Sequence, residues 1–258
     1  MFTRTYPNFA KGRILKTEML ENLRDFPHEL TDLFLRDYSD GIVAGTEIRV
    51  GEDSLCIGPG IVKHGGLIYT LTREVELPYA ATGRETVVKI RFYPAETEGD
   101  FTVCRAEPLL DEQVSVSPGE LELARFKLKE GARLRSDYRN FADLATEYNT
   151  LNRIRAQYAG FRQSTLHPEI TRHFAAEMLK SRAAGTQDFA FAMQCLSMQS
   201  VDREAILHYL AVRLGREYKP YTNEQIHAHL SRILEEAGNG SRPVPGGRFG
   251  APQRMIVD

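Results

Sequence analysis

The chain contains no tryptophan, only three cysteines, and no apolar run near the ~18 residues that a membrane-spanning helix needs. Cys56, Cys104 and Cys195 lie far apart, and no Cys-x-x-Cys occurs. Three reduced, mostly buried thiols are expected, rather than a disulfide framework or a cysteine-built zinc site. Neither sign of charge dominates: 33 Lys and Arg stand against 35 Asp and Glu, for a formal net charge of -2. That balance gives no bulk attraction to nucleic acid or to a membrane surface, so neither partner is expected. The first residues hold no apolar signal core, so export by a signal peptide is not expected either. No glycine is followed by lysine, which removes the phosphate-cradling loop. No Gly-x-Ser-x-Gly elbow is present for a serine hydrolase.

What is present is ordinary in amount, with 42% apolar and 26% charged residues over 258 positions, enough for one large or two small domains. The pattern is more telling than the amount. From Asp40 to Leu71, short β-prone runs alternate with turn residues at nearly even spacing. Gly51-Glu52-Asp53 turns the chain once, and Pro59-Gly60 fits a type II turn in which Gly supplies a positive φ. Gly65-Gly66 is a two-residue hairpin signal. Further strands are predicted over 74–77, 86–93, 101–106 and 120–128. In the second of these, Val88, Ile90 and Phe92 alternate with Lys89 and Arg91, as a half-buried strand with one wet face would. Glu120, Glu122, Arg125, Lys127 and Lys129 read as solvated faces by the same logic.

Helical spacing brackets this β region. Thr17 reads as an N-cap for a helix whose Met19, Leu20, Leu23 and Phe26 share one face. Pro27 is expected to break or kink it, with a second segment grouping Leu30, Leu33, Phe34 and Tyr38. After residue 140, a first segment would place Phe141, Leu144, Ala145 and Tyr148 together. Pro168 sits as the first residue of the next helix. Thr186 and Ser200 read as caps of two more, the latter stopped by Gly215. Thr222 and Gln225 have capping-box spacing before a last helix that runs to Gly238. The expected architecture is α+β: an antiparallel β-sandwich or small barrel flanked by an N-terminal helical arm and a C-terminal small helical bundle. The boundaries are 1–40 for the arm and its helices, 41–139 for the β-domain and 140–237 for the helical domain. Residues 238–258 form an extended C-terminal arm rich in Gly, Pro and Arg, with the composition of a segment that orders only on a partner.

Chemistry finds little footing. His28-Glu29-Leu30-Thr31-Asp32 lacks the second His that a zinc-protease helix needs at i+4. His227 and His229 diverge around a helix, so they and His208 make a poor metal site. The paired carboxylates fall on turns, strand faces and helix ends. Arg153, Arg155, Arg162 and Arg172, with Tyr158 and Phe161 among them, are a loose cluster of the type that stacks single-stranded nucleic acid. No catalytic residue, metal or cofactor is assigned.

Two stretches carry a resemblance. One is Asp40-Gly41-Ile42 through Tyr69, with its Asp-Gly-Ile, Pro-Gly-Ile and Gly-x-x-Tyr elements. The other is Leu121-Glu122-Leu123-Ala124-Arg125 through Gly131-Ala132. Both resemble β-domains of phage tail-fibre and baseplate proteins. Arg4-Thr5-Tyr6-Pro7 and the run from Thr17 to Asp25 look like the same family from prophages of Gram-positive bacteria. Chains of that kind sometimes carry a helicase label, which the missing phosphate loop does not support here. The resemblance implies a non-enzymatic structural subunit of a tail or tail-like baseplate, with a role as adaptor to receptor-binding fibres as the expectation. It would form a homo-oligomer, bind other tail proteins, and pass from the host bacterial cytoplasm into the particle. Phe2, Tyr6 and Phe9 at one end, and Phe249, Met255, Ile256 and Val257 at the other, are the expected assembly contacts. The alternative is a glycan-binding module that reads the host cell wall, for which Tyr69, Tyr79 and Tyr93 are the available aromatics.

Overall fold

A computed structural model describes residues 1–181 and 183–238. Helix α1 (Thr17–Phe34) comes first, followed by eleven strands: β1 (Gly41–Gly45), β2 (Ile48–Val50), β3 (Ser54–Ile57), β4 (Gly60–His64), β5 (Leu67–Leu71), β6 (Val75–Pro78), β7 (Glu85–Phe92), β8 (Glu96–Glu98), β9 (Phe101–Val103), β10 (Ala106–Asp111) and β11 (Glu120–Lys127). A 3-10 turn (Phe141–Ala145) then leads to α2 (Pro168–Met178), α3 (Thr186–Ser197), α4 (Arg203–Leu214) and α5 (Asn223–Gly238). The expected α+β class is met. No described helix is long and apolar enough to cross a membrane.

The strands pair antiparallel in three small sheets, β1-β4-β5, β10-β7-β11 and β2-β3-β6, with β8-β9 as a separate hairpin. The three sheets close around one apolar core that includes Ile42, Leu55, Ile57, Val88, Leu123 and Phe126. A second core lies among the helices, around Phe141, Ile170, Phe174, Ile206, Leu210 and Leu230. The chain between them is mostly irregular. Its Leu151 and Tyr158 pack into the β core, and Asn152 bridges to Arg125 of β11.

Several local expectations change. Gly65 and Gly66 do form the β4–β5 turn, with φ of 57° and 80°. Gly60 serves a different purpose from the one its Pro-Gly context signals. It opens β4, and a Cβ there would run into the backbone nitrogen of Thr46, so close approach rather than positive φ demands glycine. Helix α1 passes straight through Pro27. Its first helical residue is Thr17, and Lys16 holds the cap position without a side-chain bond. The 141–148 segment shrinks to a 3-10 turn whose Asn140 side chain accepts from Asp143 N–H. Gly185 and Asp202 take the cap positions expected of Thr186 and Ser200, while Thr222 and Gln225 exchange the capping-box bonds at 3.0 and 3.3 Å. His167 caps α2, its Nδ1 accepting from Glu169 N–H at 3.2 Å. Burial, aided by Arg153, pushes that imidazole down to about 3, which keeps the accepting nitrogen free of a proton.

The largest departure concerns the faces read as wet. Lys89, in the middle of β7, is fully buried. Its Nζ donates to the carbonyls of Gln113 and Ser115 at 2.7 Å each and lies 3.2 and 3.3 Å from Asp111 and Glu120 carboxylate oxygens. Glu122 and Arg125 are buried as a bidentate pair at 2.5 and 2.7 Å, with Glu85 also on Arg125. The β10–β11 connection folds over Lys89 and removes it from water, while Arg91 on the same face stays partly exposed. Periodicity reports which residues share a face, not whether a loop covers it.

Burial alone would raise the Glu120 carboxyl. Donation from Ser117 N–H, Arg91 and Lys89 outweighs it and holds the group at about 2. A carboxylate with a depressed pKa stabilises the fold above its ordinary value and stops doing so as pH falls through the folded one. Stability is therefore expected to drop as pH falls from 4.5 toward about 2. The Glu120→Gln variant should lose most of that dependence in urea unfolding over the same range. Lys89→Ala, which strands two carboxylates and two carbonyls, should cost about 3 kcal/mol or more at neutral pH.

Candidate assembly interface

Helix α1 has no buried residue. Its apolar side chains recur at seven-residue steps: Met19, Phe26 and Leu33; Leu20, Pro27 and Phe34; Leu23 and Leu30. In heptad terms they fill g, a and d, the width of stripe carried by a helix that faces the core of a bundle. Leu20, Leu23, Phe26, Leu30, Leu33 and Phe34 are each about half exposed or more. Together they present on the order of 600 Å² of apolar surface, the upper end of what a lone protein shows in one patch. Pro27 costs the helix a backbone bond but leaves it unbroken, and Thr31 Oγ1 donates to the Pro27 carbonyl at 2.8 Å.

The C-terminal end of α1 is tied to the β core. Lys63 of β4 is buried, and its Nζ donates to the carbonyls of Leu35 and Tyr38 at 2.6 Å each. The cation sits at the negative end of the helix, on the carbonyl of the C-cap Leu35 and on that of Tyr38 in the turn beyond, and is favoured by both charge and hydrogen bonding. Leu35 is buried beside it. Ser39 N–H donates to Gly160 O at 2.9 Å, and Arg162 N–H to Asp37 O at 2.7 Å. The Asp40 carboxylate accepts from Gly65 N–H at 2.9 Å. The helix is thus fixed at its base and presents its stripe along its length. Between α1, β5 and the stretch from Cys104 to Glu107 runs a groove of about 850 Å³.

Of the expected contact residues, Phe2, Tyr6 and Phe9 are exposed, with the Arg4 guanidinium 6.0 Å from the Tyr6 ring centroid. Phe249, Met255, Ile256 and Val257 fall outside the described residues. The three tyrosines proposed for glycan contact each have partners within the fold. Tyr69 stacks edge-on against Phe92 at 4.9 Å, in the groove. Tyr93 donates to Glu107 at 3.3 Å. Tyr79 stands by the β2–β3 turn, donating to the carbonyls of Gly51 and Glu52 and packing against Phe126.

The arginine cluster divides: Arg153 and Arg172 line one pocket of about 650 Å³ together with Tyr158, while Arg155 and Arg162 do not. Arg153 is buried, donating to Glu169 and to the Ile48 carbonyl at 2.7 Å each. Arg155 pairs with Glu224, and Arg162 lies over the Phe161 ring. His227 stacks on Phe141 while His208 lies against Tyr218 and His229 against Tyr221. Among the described residues, no three or more His, Cys, Asp or Glu side chains gather as metal ligands would. Lys63 went unread as a site residue, although a lone cation inside the apolar run Ile61-Val62-Lys63 marks a buried charge in need of acceptors.

No family model and no curated protein matches this chain. Among solved structures it is similar to one described as the crystal structure of TssK, at 9% identity and a TM-score of 0.41, covering 90% of this chain and 71% of that one. It is also similar to a chain of the type VI secretion system TssK-TssF-TssG baseplate subcomplex, at 11% identity and a TM-score of 0.38, covering 91% of this chain and 99% of that one. Identity and TM-score are both too low to transfer a fold or a function.

If Lys63 is what holds the base of α1, Lys63→Met should loosen that helix without unfolding the rest. Amide exchange over residues 17–34 should speed up, while β7 and α2 stay protected. A loss of about 1–3 kcal/mol in global stability is expected from the stranded carbonyls.

Proposed function

We propose that this chain is a non-enzymatic structural subunit of a phage tail or phage-tail-like baseplate, one that assembles by docking its N-terminal helix and arm into a bundle with copies of itself. The observation that carries the assembly part of this reading is α1. A wide apolar stripe at heptad spacing lies in solvent, on a helix whose base is fixed by a buried lysine. A stripe of that width costs solubility unless other chains cover it. Phe2, Tyr6 and Phe9, on the stretch that leads into α1, are exposed as well. The particular assembly is argued from the sequence: the Asp40–Tyr69 and Leu121–Ala132 patterns resemble tail-fibre and baseplate β-domains of Gram-positive prophages. On this reading the protein joins other baseplate components and links the baseplate to receptor-binding fibres. It acts in the host bacterial cytoplasm during assembly and then in the particle.

The test is the double variant Leu23→Asp/Leu30→Asp in the full chain. Sedimentation should show a defined oligomer for the natural sequence and a monomer for the variant, with thermal stability of the monomer's β core within about 1 kcal/mol of an ordinary surface change. A natural chain that is monomeric at all accessible concentrations, with no baseplate partner captured, would count against this reading.

A further inference from the structure

The pocket that Arg153 and Arg172 share lies where β2, the irregular linker and the start of α2 meet. Four side chains that line it carry donors for which the described residues supply no acceptor. Arg153 is 9% exposed; Glu169 and the Ile48 carbonyl take its Nη1 and Nη2, and its buried Nε has no partner. The neutral His167 imidazole accepts the Glu169 N–H on Nδ1, so its single proton sits on Nε2. That N–H meets no acceptor. The Tyr158 ring packs edge-on to His167 with centroids 4.9 Å apart, and its hydroxyl is unpaired as well. Burial outweighs the nearby Arg153 and raises the Tyr158 pKa, so the hydroxyl keeps its proton and stays a donor. Arg172, one turn beyond Pro168 on α2, is exposed, and no described residue forms an ion pair with it. Buried donors without acceptors are costly and rare, and several around one cavity mark a missing acceptor.

The charge around the cavity says which acceptor fits. Three arginines, Arg49, Arg153 and Arg172, line it against two carboxylates, Glu47 and Glu169. Glu169 is committed to Arg153, and Arg49 reaches out of the pocket to Glu74. The positive end of the α2 dipole adds to the excess. We propose that this pocket binds a small oxyanion, a phosphate or carboxylate group carried on a small molecule, with exposed Arg172 outermost and Tyr158, His167 and Arg153 deeper. Guanidinium groups and neutral N–H and O–H donors are the usual partners of both groups. The volume of about 650 Å³ falls in the range of small-molecule sites and exceeds what a bare ion fills. This site is independent of the assembly reading and stands or falls apart from it.

The experiment is equilibrium dialysis of the full chain at constant ionic strength, against radiolabelled orthophosphate in one arm and radiolabelled succinate in the other. Saturable uptake at a single site is expected, and the arm that binds more tightly names the group. Arg172→Gln, a change at an exposed position, should weaken that uptake about tenfold. Tyr158→Phe, which removes the hydroxyl and keeps the ring, should weaken it several-fold. Arg216→Gln, exposed and outside the pocket lining, should leave it unchanged. Saturable uptake in neither arm overturns the inference, and so does uptake that Arg172→Gln and Tyr158→Phe both leave intact. Uptake that Arg216→Gln weakens as much as Arg172→Gln reports an adventitious ion only and overturns it too.

Discussion

Buried cations hold the irregular parts of this protein against its regular ones. Lys89 reaches from the middle of β7 to two carbonyls of the β10–β11 connection and to the carboxylates of Asp111 in β10 and Glu120 in β11. Lys63 reaches from β4 to the carbonyls that end α1. Arg153 reaches from the irregular linker to the Ile48 carbonyl on one side and Glu169 of α2 on the other. In each case a long flexible stem crosses apolar surface and its charged head satisfies acceptors that no ladder or helix serves. A backbone carbonyl buried without a partner costs about 1–3 kcal/mol. Three small sheets leave many strand ends and connections to satisfy, and these side chains supply the donors. The desolvation of each cation is the cost, tolerable because the acceptors are several and close.

The same arrangement explains why α1 stands as it does. The helix has little of its own to hold it: no buried residue, a lysine cap without a side-chain bond, and a proline inside. An isolated helix of this length is marginal in water. Anchoring its base through Lys63 and Leu35 fixes its direction, while the stripe left along it is the surface that another chain would have to bury. Fixing direction in advance lowers the ordering cost of association. The helix is therefore better prepared to meet a partner than a free arm of the same composition.

How much of this was legible beforehand follows from what periodicity encodes. The β4–β5 hairpin, β7, β11 and all four helices after residue 167 stand where turn residues and spacing place them. Those signals are local, and the structure keeps them. Lys89, Glu120, Glu122 and Arg125 alternate with apolar neighbours and so read as a wet face, but their burial is an event of tertiary structure with no local signature. Gly60 was read for its torsion angle, whereas its backbone neighbour Thr46 sets the requirement. Pro27 was read as a break or a kink, and the helix continues through it unbroken. Phe2, Tyr6 and Phe9 are exposed, and the helix behind them carries the wider apolar surface.

The β8–β9 hairpin has a practical consequence of a different kind. From Glu96 to Thr102 every residue is exposed, and the tip turns through Gly99 at a φ of 59°. Neither core draws on it. A short antiparallel finger of this kind, closed on itself and outside both cores, is a place where foreign sequence can be spliced in without disturbing the body. An epitope or a fluorescent domain carried there would decorate any particle built from this chain at one fixed position per copy, turning the hairpin into a ruler for counting and locating subunits.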